Sequence, residues 1–176
     1  SAHPERIKAL FKSHCRLIGR RFVLAHVQFG PEIIEVATFR ALDNNGKGRR
    51  AQTREGLLVS DNVYGTLPED ALRRDFTINA LYYNPDDFTV LDFHGGIQDL
   101  HHGLIRVIGD PETRFREDPV RMLRAVRFAA KLGFRIEPHC EAVMQQLTAL
   151  LQAVPPARLY DESQKLLLNG FSLEAF

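Results

Sequence analysis

The stretch "FREDPVRMLRAVRFAAKLGF", residues 115–134, opens with two acids and a proline and then sets an arginine at every third position. Its spacing predicts a helix over residues 119–132. Asp118 is expected to cap the first N–H groups, and Pro119 is preset for the first turn. At about 100° per residue, Leu123, Val126 and Ala130 fall on the core side. Arg121, Arg124 and Arg127 drift by about 60° per step and form a slanted basic stripe. Spacing alone leaves two readings of that stripe: a solvated face, or a surface for something anionic.

Downstream of Pro119 the chain reads as helices only, over residues 119–132, 138–152 and 156–169. Upstream the pattern is mixed. "HPERIKALFKSH", residues 3–14, reads as a helix with Ile7, Leu10 and Phe11 on one face. "RRFVLAHVQF" and "EIIEVATFR" are strand-like runs separated by Gly30-Pro31, a hairpin signal. Residues 41–62 lose periodicity and carry glycines and basic side chains, so a mobile loop is expected there, in contact with RNA or as a passive insertion. "PEDALRRDFTINALYY", residues 68–83, regains a helical pattern with Leu72, Phe76, Asn79 and Tyr83 near one another. "FTVLDF" and "LIRVIG" read as short strands around the glycine turn and short helix of "HGGIQDLHHG". The shift in pattern places a domain boundary near residue 110.

With 176 residues, 44% of them hydrophobic, the chain has ample material for a core. A net charge of +1 does not announce a nucleic-acid binder, although the basic residues cluster in "RLIGRR", "KGRRAQTR" and the opening stretch. Cys15 and Cys140 fit no metal spacing and read as reduced structural thiols of a cytoplasmic protein. No apolar run approaches membrane-spanning length. P-loop, dinucleotide and nucleophile-elbow motifs are lacking, as is zinc spacing.

Two further sets of residues have chemistry to offer. Asp75 and Asn79 stand four apart beside Arg74, and an acid next to an amide suits the hydroxyls of a ribose. The competing reading is a hydrogen bond that only stiffens a helix. Glu35 alternates with apolar neighbours in "IIEVATF"; an acid on a central strand suits a divalent metal, but one carboxylate cannot hold one.

"RRDFTINAL", the run from "GGIQDL" through "FAAKLGF", and "PPARLYDESQKLL" together resemble the class II template-independent RNA nucleotidyltransferases. This group comprises bacterial poly(A) polymerases and CCA-adding tRNA nucleotidyltransferases, and "LIGRRFVLAHVQF" and "PPARLYDES" resemble the poly(A) polymerase branch. The resemblance implies an α+β fold. A nucleotidyltransferase head of polymerase-beta type, a mixed sheet with helices, would occupy residues 1–110 without its N-terminal part. An all-helical neck over residues 111–176 would begin an RNA-binding helical region. It further implies addition of AMP from ATP to RNA 3′ ends, with Mg²⁺ as cofactor, in a monomer.

By motif position, Asp75 and Glu35 compete for the role of third catalytic carboxylate, with Glu35 the candidate metal ligand and Asp75 favoured. Arg73, Arg74 and Asn79 would support ribose and phosphates. Glu117, Asp118 and Arg121 match the nucleotide-selecting motif, with Arg124 and Arg127 as phosphate or scaffold partners. The family's glycine-rich element and Asp-x-Asp metal pair are not in this sequence, and both ends read as cut from something longer. The chain alone is therefore expected to be inactive and its parent a polymerase. The alternatives are CCA addition to tRNA and a catalytically dead RNA-binding module.

Overall fold

A computed structural model describes residues 2–19, 23–41 and 64–168. The loop expected at 41–62 thus lies almost wholly outside the described residues, as do Arg20, Arg21 and Phe22 of "GRRF" and the end of the last expected helix. The chain divides into two compact units, residues 1–73 and 74–176.

In the first unit, α1 (Pro4–Phe11) begins with a proline in its first turn and buries Ile7. Leu10, expected on the same face, is exposed. A three-stranded antiparallel sheet follows in the order β1 (Cys15–Ile18), β2 (Leu24–Phe29), β3 (Glu32–Val36). Alternation along β2 turns Ala25 and Val27 inward, onto Ile7 and Cys15, with Phe11 and Val36 packed alongside. Phe29 pairs with Glu32 across Gly30-Pro31, which makes the expected hairpin. Gly30 has φ +58°, a conformation that a side chain would strain. β1 was not legible as a strand, since only Cys15 of its four residues is buried and its pairing to β2 decides its shape.

The short helix α2 (Leu67–Leu72) opens with a capping box in which Thr66 and Glu69 serve each other's backbone N–H. Here the structure corrects the reading of residues 68–83 as one helix. α2 stops at Leu72, and the second unit starts with an extended segment, a 3-10 turn (Thr77–Asn79) and a strand, β4 (Leu81–Asn84), paired with β5 (Thr89–Asp92). Long-range backbone bonds overrule the local pattern: Phe76 forms a bridge with Val107, Thr77 N donates to the Arg106 carbonyl, and Ile108 N donates to the Asp75 carbonyl. Phe76 is fully buried as an extended residue, and Tyr83 is exposed.

α3 (Gly96–His102) lies against the 3-10 turn. A Cβ on Gly96 would come within 2.3 Å of the Thr77 carbonyl oxygen, so only glycine allows this approach. Behind it, buried Asp99 accepts from the Thr77 hydroxyl at 2.7 Å and from Arg106. β6 (Leu104–Ile105) leads into α4 (Pro111–Glu117), a helix that the sequence reading omitted although Asp110 caps it by accepting from Thr113 N. α5 (Val120–Leu132) follows, then β7 (Arg135–Ile136), parallel to β6, so the region after Pro119 is not purely helical. α6 (Pro138–Leu147), a 3-10 stretch (Thr148–Ala153) and α7 (Pro156–Leu167) complete the described chain.

Phe76, Ile105, Val107, Phe115, Met122, Ala125, Cys140, Val143 and Leu147 form the core of this unit. α5 therefore buries Met122 and Ala125 rather than Leu123 and Val126. Burial pushes the Cys140 thiol up to about 11, as suits an inert structural thiol. No helix of the described residues is long and apolar enough to cross a membrane.

Candidate nucleotide site

The segment 75–79 is fixed on several sides before any charge is considered: by the Val107 bridge, by the Thr77 bonds to Arg106 and Asp99, and by the close approach of Gly96. Within it Asn79 Nδ2 donates to Asp75 Oδ1 at 3.1 Å, beside the Phe76 N–H at 2.9 Å. The pairing expected from four-residue spacing is present, on a turn rather than an α-helix. Arg124 reaches from α5 to the other oxygen, with Nε at 2.8 Å and Nη2 at 2.6 Å from Asp75 Oδ2.

The basic stripe is neither solvated nor free. Arg124 Nη1 also lies 3.4 Å from Glu162 of α7, and Arg127 Nε donates to the same carboxylate at 2.9 Å. Both guanidiniums cover the ring of Phe128, at 5.4 and 4.3 Å from its centre, and that ring meets Phe76 edge to face. Arg121 donates to Glu117 at 3.1 Å and to the Arg114 carbonyl at 2.7 Å. Each arginine of the stripe thus has a carboxylate partner.

Glu117 serves Arg114 as well, at 2.7 Å, and buried Arg114 spans back to the Arg74 carbonyl. Asp118 does not cap α5. It ends α4, and its carboxylate takes Arg158 of α7 at 2.9 Å, while Pro119 occupies the cap position. The second oxygen, Oδ1, is buried and bonds to no described residue.

The charges respond to this packing. Burial lowers the Arg114 pKa, aided by the neighbouring Arg121 and opposed by Glu117. For Arg124, burial also works downward, yet Asp75 and Glu162 outweigh it and the pKa rises. Burial would raise the Glu162 pKa, but Arg127, Lys165 and Arg124 together hold it low. In these ion pairs six cations (Arg114, Arg121, Arg124, Arg127, Arg158, Lys165) meet four carboxylates (Asp75, Glu117, Asp118, Glu162), two positive charges in excess.

The remaining sequence candidates have separate surroundings. Arg73 stands 3.9 Å from Asp70 in the first unit. Arg74 lies over the Tyr82 ring at 5.6 Å. Glu35 is an exposed acid on β3, 3.3 Å from His26. No group of three His, Cys, Asp or Glu side chains among the described residues could hold a metal ion. With Asp75 already surrounded by donors, the described residues do not fit a divalent-metal site.

Arg114, Arg158 and Glu162 were missed in the sequence. "PPARLYDES" contributed only to the family and branch resemblance, yet three arginines turned partly inward from α5 required acids. Glu162 was available for that count.

The mixed α+β segment followed by helices matches the nucleotidyltransferase head and helical neck of CCA-adding enzyme structures. The chain belongs to the poly(A) polymerase head-domain family, whose model matches residues 1–106. A second model, "Probable RNA and SrmB-binding site of polymerase A", matches residues 133–176. Poly(A) polymerase I of Escherichia coli O6:H1 is 56% identical over the whole chain, which spans 38% of that protein's length. The CCA-adding enzyme of Limosilactobacillus fermentum is 41% identical over 96% of the chain and 40% of its own length. Among solved structures, the Bacillus stearothermophilus CCA-adding enzyme in complex with CTP superposes with a TM-score of 0.79 at 32% identity. That match covers 99% of this chain and 40% of the other.

Proposed function

We propose that the protein containing this chain is a polynucleotide adenylyltransferase. It adds AMP from ATP to RNA 3′ ends without a template, releasing pyrophosphate, and works as a cytoplasmic monomer. The observation that carries this reading is the 56% identity to a poly(A) polymerase I, against 41% to a CCA-adding enzyme.

In this reading the head extends to about residue 110 and the neck begins with α4. The α4–α5 junction selects the base. A carboxylate of Asp118 accepts from the exocyclic amine of adenine, and Arg121 donates to a ring nitrogen. Nε and Nη2 of Arg121 bond to no described residue and are the donors for that contact, while Glu117 and the Arg114 carbonyl hold Nη1. Arg73 and Arg74 support the phosphates, and Asn79 the sugar. Arg124 and Arg127, each tied to buried Glu162, serve as scaffold more than as phosphate ligands. Of the two acids that compete for one catalytic role, Asp75 has its oxygens occupied by the Phe76 N–H, Asn79 and Arg124, and Glu35 stands exposed on β3. The residues described here supply recognition and not a metal-binding set.

The test is an extension assay of the full-length protein. With an RNA primer and ATP alone, long tails are expected; the isolated 176-residue chain is expected to add none. The CCA-adding reading is favoured by the structural match to an enzyme solved with CTP. Preferential CTP incorporation into tRNA lacking its 3′ end would establish that reading instead. RNA binding with no incorporation of either nucleotide would point to a binding module.

A further inference from the structure

Glu162 has no role in the base or phosphate contacts just described, yet it is among the few buried charged side chains of the described residues, at 7% exposure. It gathers three cations. Arg127 Nε lies at 2.9 Å, Lys165 Nζ at 3.2 Å and Arg124 Nη1 at 3.4 Å. Arg127 and Lys165 alone would neutralise it, so the approach of Arg124 calls for a separate account.

Arg124 presents two edges of a planar guanidinium to two acids. The Nε–Nη2 edge takes Asp75 Oδ2, and Nη1 faces Glu162. The plane is thereby fixed from both sides and rests on Phe128. The chain of contacts continues beyond it. A carboxylate has about four acceptor sites. On Asp75 these meet the Phe76 N–H, Asn79 Nδ2 and two nitrogens of Arg124. An incoming sugar hydroxyl thus finds its donor and acceptor on Asn79, in the second amide hydrogen and the amide oxygen.

We propose that Glu162 is a positioning residue for sugar recognition: through Arg124 it holds Asp75, and through Asp75 it aims the Asn79 amide at a ribose hydroxyl. The proposal rests on reading Asn79 as the sugar contact. Loss of Glu162 leaves Arg124 gripped on one edge only, and the Asp75–Asn79 pair loosens. A misplacement of this kind weakens the sugar contact without removing any group that touches the nucleotide.

The test compares ATP with 2′-deoxy-ATP as substrates of the full-length protein on an RNA primer. The readout is the ratio of the two kcat/KM values. Asn79→Ala is expected to collapse the ratio toward one. Glu162→Gln is expected to lower it about tenfold, mainly through KM for ATP, with the preference for ATP over CTP unchanged. Glu162→Asp, which keeps the charge, is expected to recover part of the loss. If Glu162→Gln does not fold, the charge-balanced Glu162→Gln/Arg127→Gln variant removes the acid together with a surplus cation, and the same drop is expected. A ratio unchanged in the Glu162 variants but lowered in Asn79→Ala overturns the proposal and leaves the sugar reading standing. A ratio unchanged in Asn79→Ala overturns both. A parallel loss of sugar and base preference assigns Glu162 to general folding and also overturns the proposal.

Discussion

Two arginine–carboxylate contacts tie α5 or its entry to other elements of the same unit, and they differ in almost every physical respect. Asp75–Arg124 is doubly bonded, 12% and 31% exposed, backed by Glu162 and floored by Phe128. Asp118–Arg158 is singly bonded, 27% and 54% exposed, with one carboxylate oxygen left unpaired. A partner lost from the first strands a buried charge, whereas one lost from the second is replaced by water. The first contact is built to hold a shape. The second is held loosely enough to exchange with water.

The largest expected effect breaks the first contact. Arg124→Ala leaves Asp75 and Glu162 facing one another's environment without their common cation. Breaking a buried pair costs about 3–5 kcal/mol, and partial exposure of Arg124 puts the expected loss near the lower end. In thermal unfolding the midpoint is expected to fall by about 10 °C. A shift within about 2 °C would show that the two contacts are energetically alike and would dissolve the contrast.

The acid side of that contact has a pH signature. Arg127, Lys165 and Arg124 hold the Glu162 pKa below its ordinary 4.5 despite burial. A group depressed in the folded state contributes stability that is fully present above its unfolded pKa and is lost as pH falls through its folded pKa. Stability of the wild type is therefore expected to drop more steeply below about pH 4.5 than that of Glu162→Gln, the two curves running parallel above it. Denaturant midpoints between about pH 3 and 7 measure this, because the remaining carboxylates are common to both proteins. Parallel curves throughout would mean that Glu162 meets similar surroundings folded and unfolded.

Legibility in the sequence followed the range of the interactions. α5 was readable because its apolar and basic positions repeat within one helix. Ala130 is buried as expected, but Leu123 and Val126 were each set one residue off, since Met122 and Ala125 are chosen by what packs against them. The Asp75–Asn79 pair was readable from spacing and survived even though its helix did not, because the 3-10 turn brings the two close. The helix itself was lost to the Phe76–Val107 bridge, a pairing across 31 positions that no local pattern announces. Asp118-Pro119 looked like a cap and is a junction, because α4 ends there before α5 begins. The partners of the stripe were invisible for the same reason of distance: Glu162 lies 38 and 35 positions from Arg124 and Arg127. A demand for acids was legible, and their address was not.

The smallest expected effect on stability is the one that sharpens the comparison most. Arg158→Ala removes an exposed pair, so it is expected to cost under about 1 kcal/mol. Its consequence should appear in nucleotide choice. Arg158 holds the accessible oxygen of Asp118, and a carboxylate accepts from the amine of adenine but repels the carbonyl that guanine or uracil offers there. Without the arginine, that oxygen can turn away, and KM for ATP is expected to rise by about three- to tenfold while discrimination against GTP and UTP falls. Asp118→Asn, which replaces an acceptor by a donor at one position, is expected to relax discrimination further, and the double variant to equal Asp118→Asn alone. Additive losses in the double variant would separate Arg158 from Asp118 and place its contact elsewhere on the nucleotide. Unchanged selectivity in both single variants would remove Asp118 from base reading and leave Arg121 to carry it.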